Sequence, residues 1–137
     1  MDRDRHSDFH ASLNRHLREA DVAKQLDGRG RVLWLSERLE DYVARLHGFG
    51  VARSMDIGAL VSSDLARAVE AGVAVLDEHL PAARAPEAAQ SAWRAFKAAL
   101  NELRRNPNLG NVEALQTACE RFRTELVASE REPGLST

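Results

Sequence analysis

Apolar side chains recur along this chain at alternating steps of three and four residues, the spacing that places them on one side of an α-helix. One stripe consists of Val32, Leu35, Leu39, Tyr42, Leu46 and Phe49, and another of Val112, Leu115, Cys119, Phe122 and Leu126. Strict alternation of apolar and polar residues, the pattern typical of strands, is almost missing from the sequence. The spacing therefore predicts an all-α protein.

Five helical segments are predicted, separated by residues that interrupt helices. They run from Ser7 to Leu26, from Arg31 to His47, from Met55 to Leu80, from Pro86 to Arg105, and from the N-cap Asn111 to Glu130. The connections are short, which favours antiparallel packing of sequential helices. We expect a single-domain bundle of four to five antiparallel helices over residues 1–132, with a flexible C-terminal tail over residues 133–137.

Glycine and proline define most of the predicted boundaries. Gly28 and Gly30 are expected to form a turn, and Gly48 with Gly50 to end the second helix. Pro81 is expected to open the connection after the third helix.

The third helix is predicted to be central in the bundle. Its apolar positions cover a wide arc between Ile57 and Leu80, which is typical of a helix buried among several neighbours. Gly72 lies inside that arc, so we expect another backbone to approach closely there. Ser54 or Asp56 is expected to cap its beginning, because such side chains accept hydrogen bonds from the first turn.

Composition limits the functional classes. The chain has 137 residues, a formal net charge of −2 and one cysteine. A nearly neutral chain has no strong field to attract nucleic acid or an anionic membrane, and nucleic-acid binding is disfavoured. A charged N-terminus and the lack of an apolar segment of membrane-spanning length favour a cytoplasmic protein.

No catalytic or cofactor motif is present in the sequence: there is no phosphate-binding glycine loop, no HExxH and no nucleophile elbow. Cys119 lies on an apolar stripe, where a free cysteine acts as a small hydrophobic residue. We place its nearest basic residues, Arg121 and Arg123, on other faces of the helix. The sequence therefore favours a non-enzymatic role without a cofactor, and chemistry through Cys119 is a remote alternative.

The five histidines support two alternative functions. His6 and His10 share one helix face and supply two metal ligands, and His16, His47 and His79 are the other available ligands for a helical-bundle sensor of a metal or small ligand. His47 also offers phosphotransfer, because histidine-phosphotransfer domains are helical bundles with a reactive His beside small residues. Those domains carry a Lys and a Gly after the His inside the helix. Here no Lys follows, and Gly48 and Gly50 are expected to end the helix.

Trp34 points to a protein-binding surface. On a helical wheel it lies off the stripe of Val32 and Leu35, on the side of Arg38, Asp41 and Arg45. Trp and Arg are enriched at interface hot spots, and Arg38 is placed to stack on the indole. The competing interpretation is that the first or fifth helix covers Trp34 within the same bundle.

The leading hypothesis is a small cytoplasmic regulator, adaptor or assembly subunit, acting as a protein–protein interaction module and a homo-oligomer. Its predicted partner-binding residues are Trp34, Arg38, Asp41 and Arg45. No membrane partner is expected.

Overall fold

A computed structural model describes residues 2–52 and 56–131, with side chains described over 11–52 and 56–128. These residues form six helices and no strand, which confirms the predicted all-α class. The helices are α1 (Asp2–Lys24), α2 (Gly28–Ala52), α3 (Ile57–Leu60), α4 (Asp64–Ala83), α5 (Glu87–Arg105) and α6 (Leu109–Arg131). None of the helices in this part of the chain has both the length and the apolar content needed to cross a bilayer.

The order of helices around the core follows from their contacts. α2 packs against α4 on one side and α6 on the other, α5 packs against α6, and α1 packs against α4 and α2. Leu39 of α2 lies beside Gly72, whereas Gly28 lies beside Ala82, so α2 and α4 run antiparallel. α4 and α5 are also in contact, because Trp93 of α5 donates a hydrogen bond to Asp77 of α4. The helices α2, α4, α5 and α6 therefore form a closed ring of contacts.

The core is aliphatic with a small aromatic centre. Its largest fully buried side chains are Phe96, Phe122, Leu35, Leu39, Leu46, Leu76, Leu103, Leu115, Val32, Val43, Val69 and Val75. Trp93 stacks on Phe96 with ring centroids 5.4 Å apart and lies 4.8 Å from Phe122. Most residues of the two apolar stripes that define the second and last predicted helices are buried, and α2 and α6 pack against each other.

The predicted third helix is two helices in the structure, and its central position is not confirmed. Asp56 caps α3 by accepting from the amide of Ala59, and Ser63 caps α4 by accepting from the amide of Ala66. A cap inside the predicted segment gives the chain a second helix start, so the helix is interrupted between Leu60 and Asp64. The other candidate cap, Ser54, lies outside the described residues.

α2 is the helix with the widest set of packing partners, because it contacts α1, α3, α4 and α6. Beside Gly72 the close neighbour is the Leu39 side chain of α2, at 3.1 Å from where a Cβ would lie. We expected another backbone to lie close to Gly72, but the close neighbour in the structure is a side chain.

The glycines expected to interrupt α2 lie inside it. Gly28 and Gly30 form its first turn, where Asp27 accepts a hydrogen bond from the Gly30 amide at 2.7 Å. Gly50 is buried, and a Cβ at this position would contact Ile57, Leu60 and Val112. Contacts with other parts of the fold therefore stabilise the helical conformation of the chain at Gly50. Phe49, expected on the buried stripe, is 52% exposed.

Two other boundaries differ from the prediction. α4 continues through Pro81 to Ala83 and ends at Arg84, which adopts the left-handed conformation with φ 52°. Proline near the end of a helix removes only one of its backbone bonds, so the last turn can still form. α6 begins at Leu109, because Asn108 rather than Asn111 accepts the capping hydrogen bond, from the Asn111 amide at 2.8 Å.

Candidate partner-binding surface

Trp34 lies on the side of α2 that faces away from the core stripe, and its side chain is only partly buried. The guanidinium carbon of Arg38, one turn later, lies 5.7 Å from the centre of the indole ring. This distance is that of a cation–π contact, which is favoured because the ring face is electron-rich. The stacking expected from the i, i+4 spacing is therefore present. Trp34 is also packed against the hydrophobic core, so the bundle itself covers part of the side chain, as the competing interpretation expects.

The remaining predicted residues continue this side of α2 toward its C-terminus. Asp41 and Arg45 are exposed, and their side chains form an ion pair with a nitrogen–oxygen distance of 3.1 Å. An exposed i, i+4 pair of this kind contributes about 0.3–0.5 kcal/mol, so its main effect is to orient the two charges. We call Trp34, Arg38, Asp41 and Arg45 the outer face of α2.

A groove runs beside the outer face, where α2 and α6 diverge at the surface. It has a volume of about 410 Å³ and is lined by Glu37, Arg38, Glu40, Asp41, Val43, Ala44, Gln116, Cys119 and Glu120. A second depression adjoins it and shares Glu40 and Glu120, and its other lining residues are Arg123, Thr124, Val127 and Ala128. We call the two together the α2–α6 groove. Arg38 and Asp41 belong both to it and to the outer face.

The walls of the α2–α6 groove are acidic and its floor is apolar. Four carboxylates line it, from Glu37, Glu40, Asp41 and Glu120, against two guanidinium groups, from Arg38 and Arg123, so the lining is acidic on balance. Glu40 is paired with Arg123 and Asp41 with Arg45, whereas Glu37 and Glu120 have no ion-pair partner among the described residues. Val43 and Cys119 are buried beneath the carboxylates. The groove therefore favours a partner segment that combines positive charge with small apolar side chains.

A polar connection between α2 and α6, which we did not predict from the sequence, forms one side of this groove. Arg123 donates from Nη1 to Oγ of Ser36 at 3.0 Å, and its Nε lies 3.6 Å from a carboxylate oxygen of Glu40. Ser36 in turn donates to the carbonyl of Leu33 at 2.8 Å. Ser36 and Arg123 each occupy a position on the apolar side of their helix. Two polar residues on facing apolar stripes are the sequence signal that would have predicted this contact.

Cys119 is a buried structural residue. Burial is the main cause that raises the pKa of its thiol to about 12, and the carboxylate of Glu40 adds to the effect, while Arg123 opposes it. Arg123 is one helical turn from Cys119 and close enough to act on it, so the prediction that it lies on another face is wrong. Because a nucleophilic cysteine must ionise near neutral pH, a thiol with this pKa is a poor nucleophile.

The histidines are not gathered into a metal site in the described part of the chain. No group of three or more His, Cys, Asp or Glu side chains over 11–52 and 56–128 is arranged to hold a metal ion. The side chains of His6 and His10 lie outside the described residues. His47 is partly exposed and lies within α2, which continues beyond it to Ala52.

Comparison with known proteins gives no further assignment of this surface. No protein-family model, no curated protein and no solved structure matches the chain.

Proposed function

We propose that this chain is a non-enzymatic protein–protein interaction module that acts as a homo-oligomer, in the manner of a small cytoplasmic regulator, adaptor or assembly subunit. Residues 1–132 would form its helical domain, and the tail over 133–137 would lie outside it. The observation that carries the proposal is Trp34, a partly exposed indole stacked with Arg38, which itself lines the α2–α6 groove.

Such an arrangement suits an interface for a physical reason. A tryptophan buries a large apolar area on association and loses little conformational entropy, because Arg38 already restricts it. The ion pair of Asp41 and Arg45 supplies polar groups at the rim of the surface around Trp34. Interfaces commonly have this composition, with an aromatic and arginine centre and a polar rim.

Replacement of Trp34 by Ala tests the proposal. Sedimentation velocity should show that the wild-type chain forms oligomers and that Trp34→Ala weakens the association about thirtyfold or more, the range of an interface hot spot. The circular dichroism spectrum should remain that of the wild type, since Trp34 is only partly buried.

Phe49→Ala is the matched control. Phe49 is a more exposed aromatic residue of the same helix, about 22 Å further along it at 1.5 Å per residue. Its removal should leave the association unchanged. If Trp34→Ala unfolds the chain, Trp34 is a core residue and the proposal fails. Equal effects of the two variants would likewise contradict a specific role for the outer face.

Phosphotransfer through His47 is the second candidate, favoured by one observation. α2 continues through Gly48 and Gly50, so His47 lies inside a helix with open space beside it: a Cβ on Gly48 would meet no atom within 4 Å. Incubation with acetyl phosphate should then produce an acid-labile phosphoryl group that is lost in His47→Gln and retained in His79→Gln. An unlabelled wild-type chain, or a label that survives His47→Gln, would exclude this candidate.

A further inference from the structure

α1 presents to solvent a surface that the fold leaves unused. Leu13 and Leu17 are buried and attach α1 to the core of its own chain. Val22 lies on the opposite side of the helix and is 82% exposed. Arg18 is exposed four residues before Val22, and Arg15 is exposed three residues before Arg18, so the three side chains form one stripe. We call Arg15, Arg18 and Val22, with the adjoining Ala23, the outer stripe of α1.

The outer stripe of α1 is basic where the α2–α6 groove is acidic. Neither Arg15 nor Arg18 has an ion-pair partner among the described residues, and the one carboxylate in the same surface depression is that of Glu19. The groove carries the carboxylates of Glu37 and Glu120, which have no ion-pair partner among the described residues, although Glu120 accepts a hydrogen bond from Gln116. Opposite charges on two surfaces favour their encounter and fix their alignment.

The apolar parts of the two surfaces also correspond in size. Val22 and Ala23 are small side chains, and the groove between its charged walls is lined by Val43, Ala44, Val127 and Ala128. From Gln116 to Ala128 the groove follows α6 for about 18 Å, whereas Arg15 to Val22 spans about 10 Å of helix. A helix of this length can lie along the groove.

We propose that the occupant of the α2–α6 groove is the outer stripe of α1 from a second copy of this chain. Leu13 and Leu17 hold α1 against α4 and α2 of its own chain, so the stripe faces away from its own groove. Each copy carries both halves of the contact. If the contact closes with two-fold symmetry, a dimer forms it twice and leaves neither half exposed, whereas without closure the same contact joins copies head to tail. The inference rests on the proposed function and names its partner.

Reversal of the charges on each of the two surfaces by mutation tests the inference. One variant carries Arg15→Glu with Arg18→Glu, and the other carries Glu37→Lys with Glu120→Lys. All four positions are exposed, so both variants should fold. In each variant alone, like charges face each other across the dimer, and self-association should weaken about tenfold or more in sedimentation velocity.

An equimolar mixture of the two variants is the decisive sample. In the mixed dimer both contacts again join opposite charges, so a heterodimer should form with an affinity close to that of the wild type. High salt should weaken both the wild-type dimer and the mixed dimer, because these charges are exposed. Arg84→Glu with Arg94→Glu is the matched control, since it makes the same change of charge in a surface depression between α4 and α5 and should not affect association.

The outcomes separate this inference from the proposed function. A mixture that remains monomeric overturns the pairing of α1 with the groove. A dimer that resists Arg15→Glu with Arg18→Glu but is lost in Trp34→Ala overturns the inference and leaves the proposed function standing. A wild-type chain that is monomeric at every concentration contradicts both.

Discussion

Arg123 of α6 donates a hydrogen bond from Nη1 to Oγ of Ser36 in α2, at 3.0 Å and across 87 residues of sequence. Ser36 is 1% exposed, so a charged side chain reaches the edge of the core to make this bond. Nε of Arg123 is buried without a hydrogen-bond acceptor in the described part of the chain, although the carboxylate of Glu40 lies 3.6 Å away. The contact joins the two helices that form the groove.

Removal of the Ser36 hydroxyl should destabilise the fold. Ser36→Ala leaves Nη1 of Arg123 without its Oγ acceptor, and a partly buried charged donor that loses its partner costs about 1–3 kcal/mol. Urea unfolding followed by circular dichroism measures this loss. Ser62→Ala is the control, because Ser62 is exposed and its change should stay within about 0.5 kcal/mol. Equal losses in the two variants would show that the Arg123 contact contributes nothing.

The stability of the protein should depend on Cys119 at alkaline pH. Burial raises the pKa of this thiol to about 12 in the folded chain, whereas an unfolded cysteine has a pKa of about 8.5. The folded state therefore keeps its proton while the unfolded state loses it. The stability contributed by the protonated thiol is complete below about pH 8.5 and declines as the pH rises toward 12, by up to about 1.4 kcal/mol per pH unit.

Comparison with Cys119→Ala isolates this effect from lysine and tyrosine titration. The difference in unfolding free energy between wild type and variant should decrease between about pH 8.5 and 11. A difference that stays constant over this range would show that the thiol titrates normally in the folded chain. The native thiol should also react slowly with a disulfide reagent near pH 8 and rapidly after unfolding.

Gly48→Ala should stabilise the protein. Gly48 lies within α2, and an added Cβ would meet no atom within 4 Å. Alanine is favoured over glycine by about 0.8–1 kcal/mol in a helix, and nothing here opposes the gain. Thermal and urea unfolding should both show the increase. Loss of stability would mean that α2 ends before Gly48.

Gly28→Ala is the contrasting substitution in the same helix. Its Cβ would lie 3.1 Å from the carbonyl oxygen of Ala82, a backbone atom of α4 that cannot move without its helix. We expect a loss of about 1–3 kcal/mol from this overpacking, measured by the same urea unfolding. A gain equal to that of Gly48→Ala would contradict the close approach of α2 to α4.

Asp77→Ala should destabilise the α4–α5 contact. Oδ1 of Asp77 accepts a hydrogen bond from Nε1 of Trp93 at 2.7 Å, and Trp93 is a core residue. Without that acceptor the indole N–H is unpaired, with an expected cost of about 1–3 kcal/mol in urea unfolding. Lys97→Met is the control: it removes the exposed ion pair with Asp77 and the cation–π contact with Trp93 but keeps the indole hydrogen bond, and exposed contacts of these two kinds contribute about 1 kcal/mol or less each. A larger loss of unfolding free energy in Lys97→Met than in Asp77→Ala would show that the contacts of Lys97, rather than the indole hydrogen bond, stabilise the α4–α5 contact.

The sequence by itself determined the helical class and most of the buried face. The steps of three and four residues that join Val32, Leu35 and Leu39 can place their side chains on one side only if the chain is helical. Those three residues are buried in α2 as predicted, and Cys119 is buried in α6. The stacking of Arg38 on Trp34 was also predictable, because both residues lie on one helix one turn apart.

The tertiary structure decided where helices continue and which helices meet. Gly50 stays helical because Ile57, Leu60 and Val112 surround it, and no local propensity contains that information. Ser36 meets Arg123 because α2 and α6 pack antiparallel, a relationship between segments far apart in sequence. The α2–α6 groove depends on the same packing. Periodicity determines which side of a helix is buried, whereas only the packed fold determines which neighbour buries it and which surface remains for a partner.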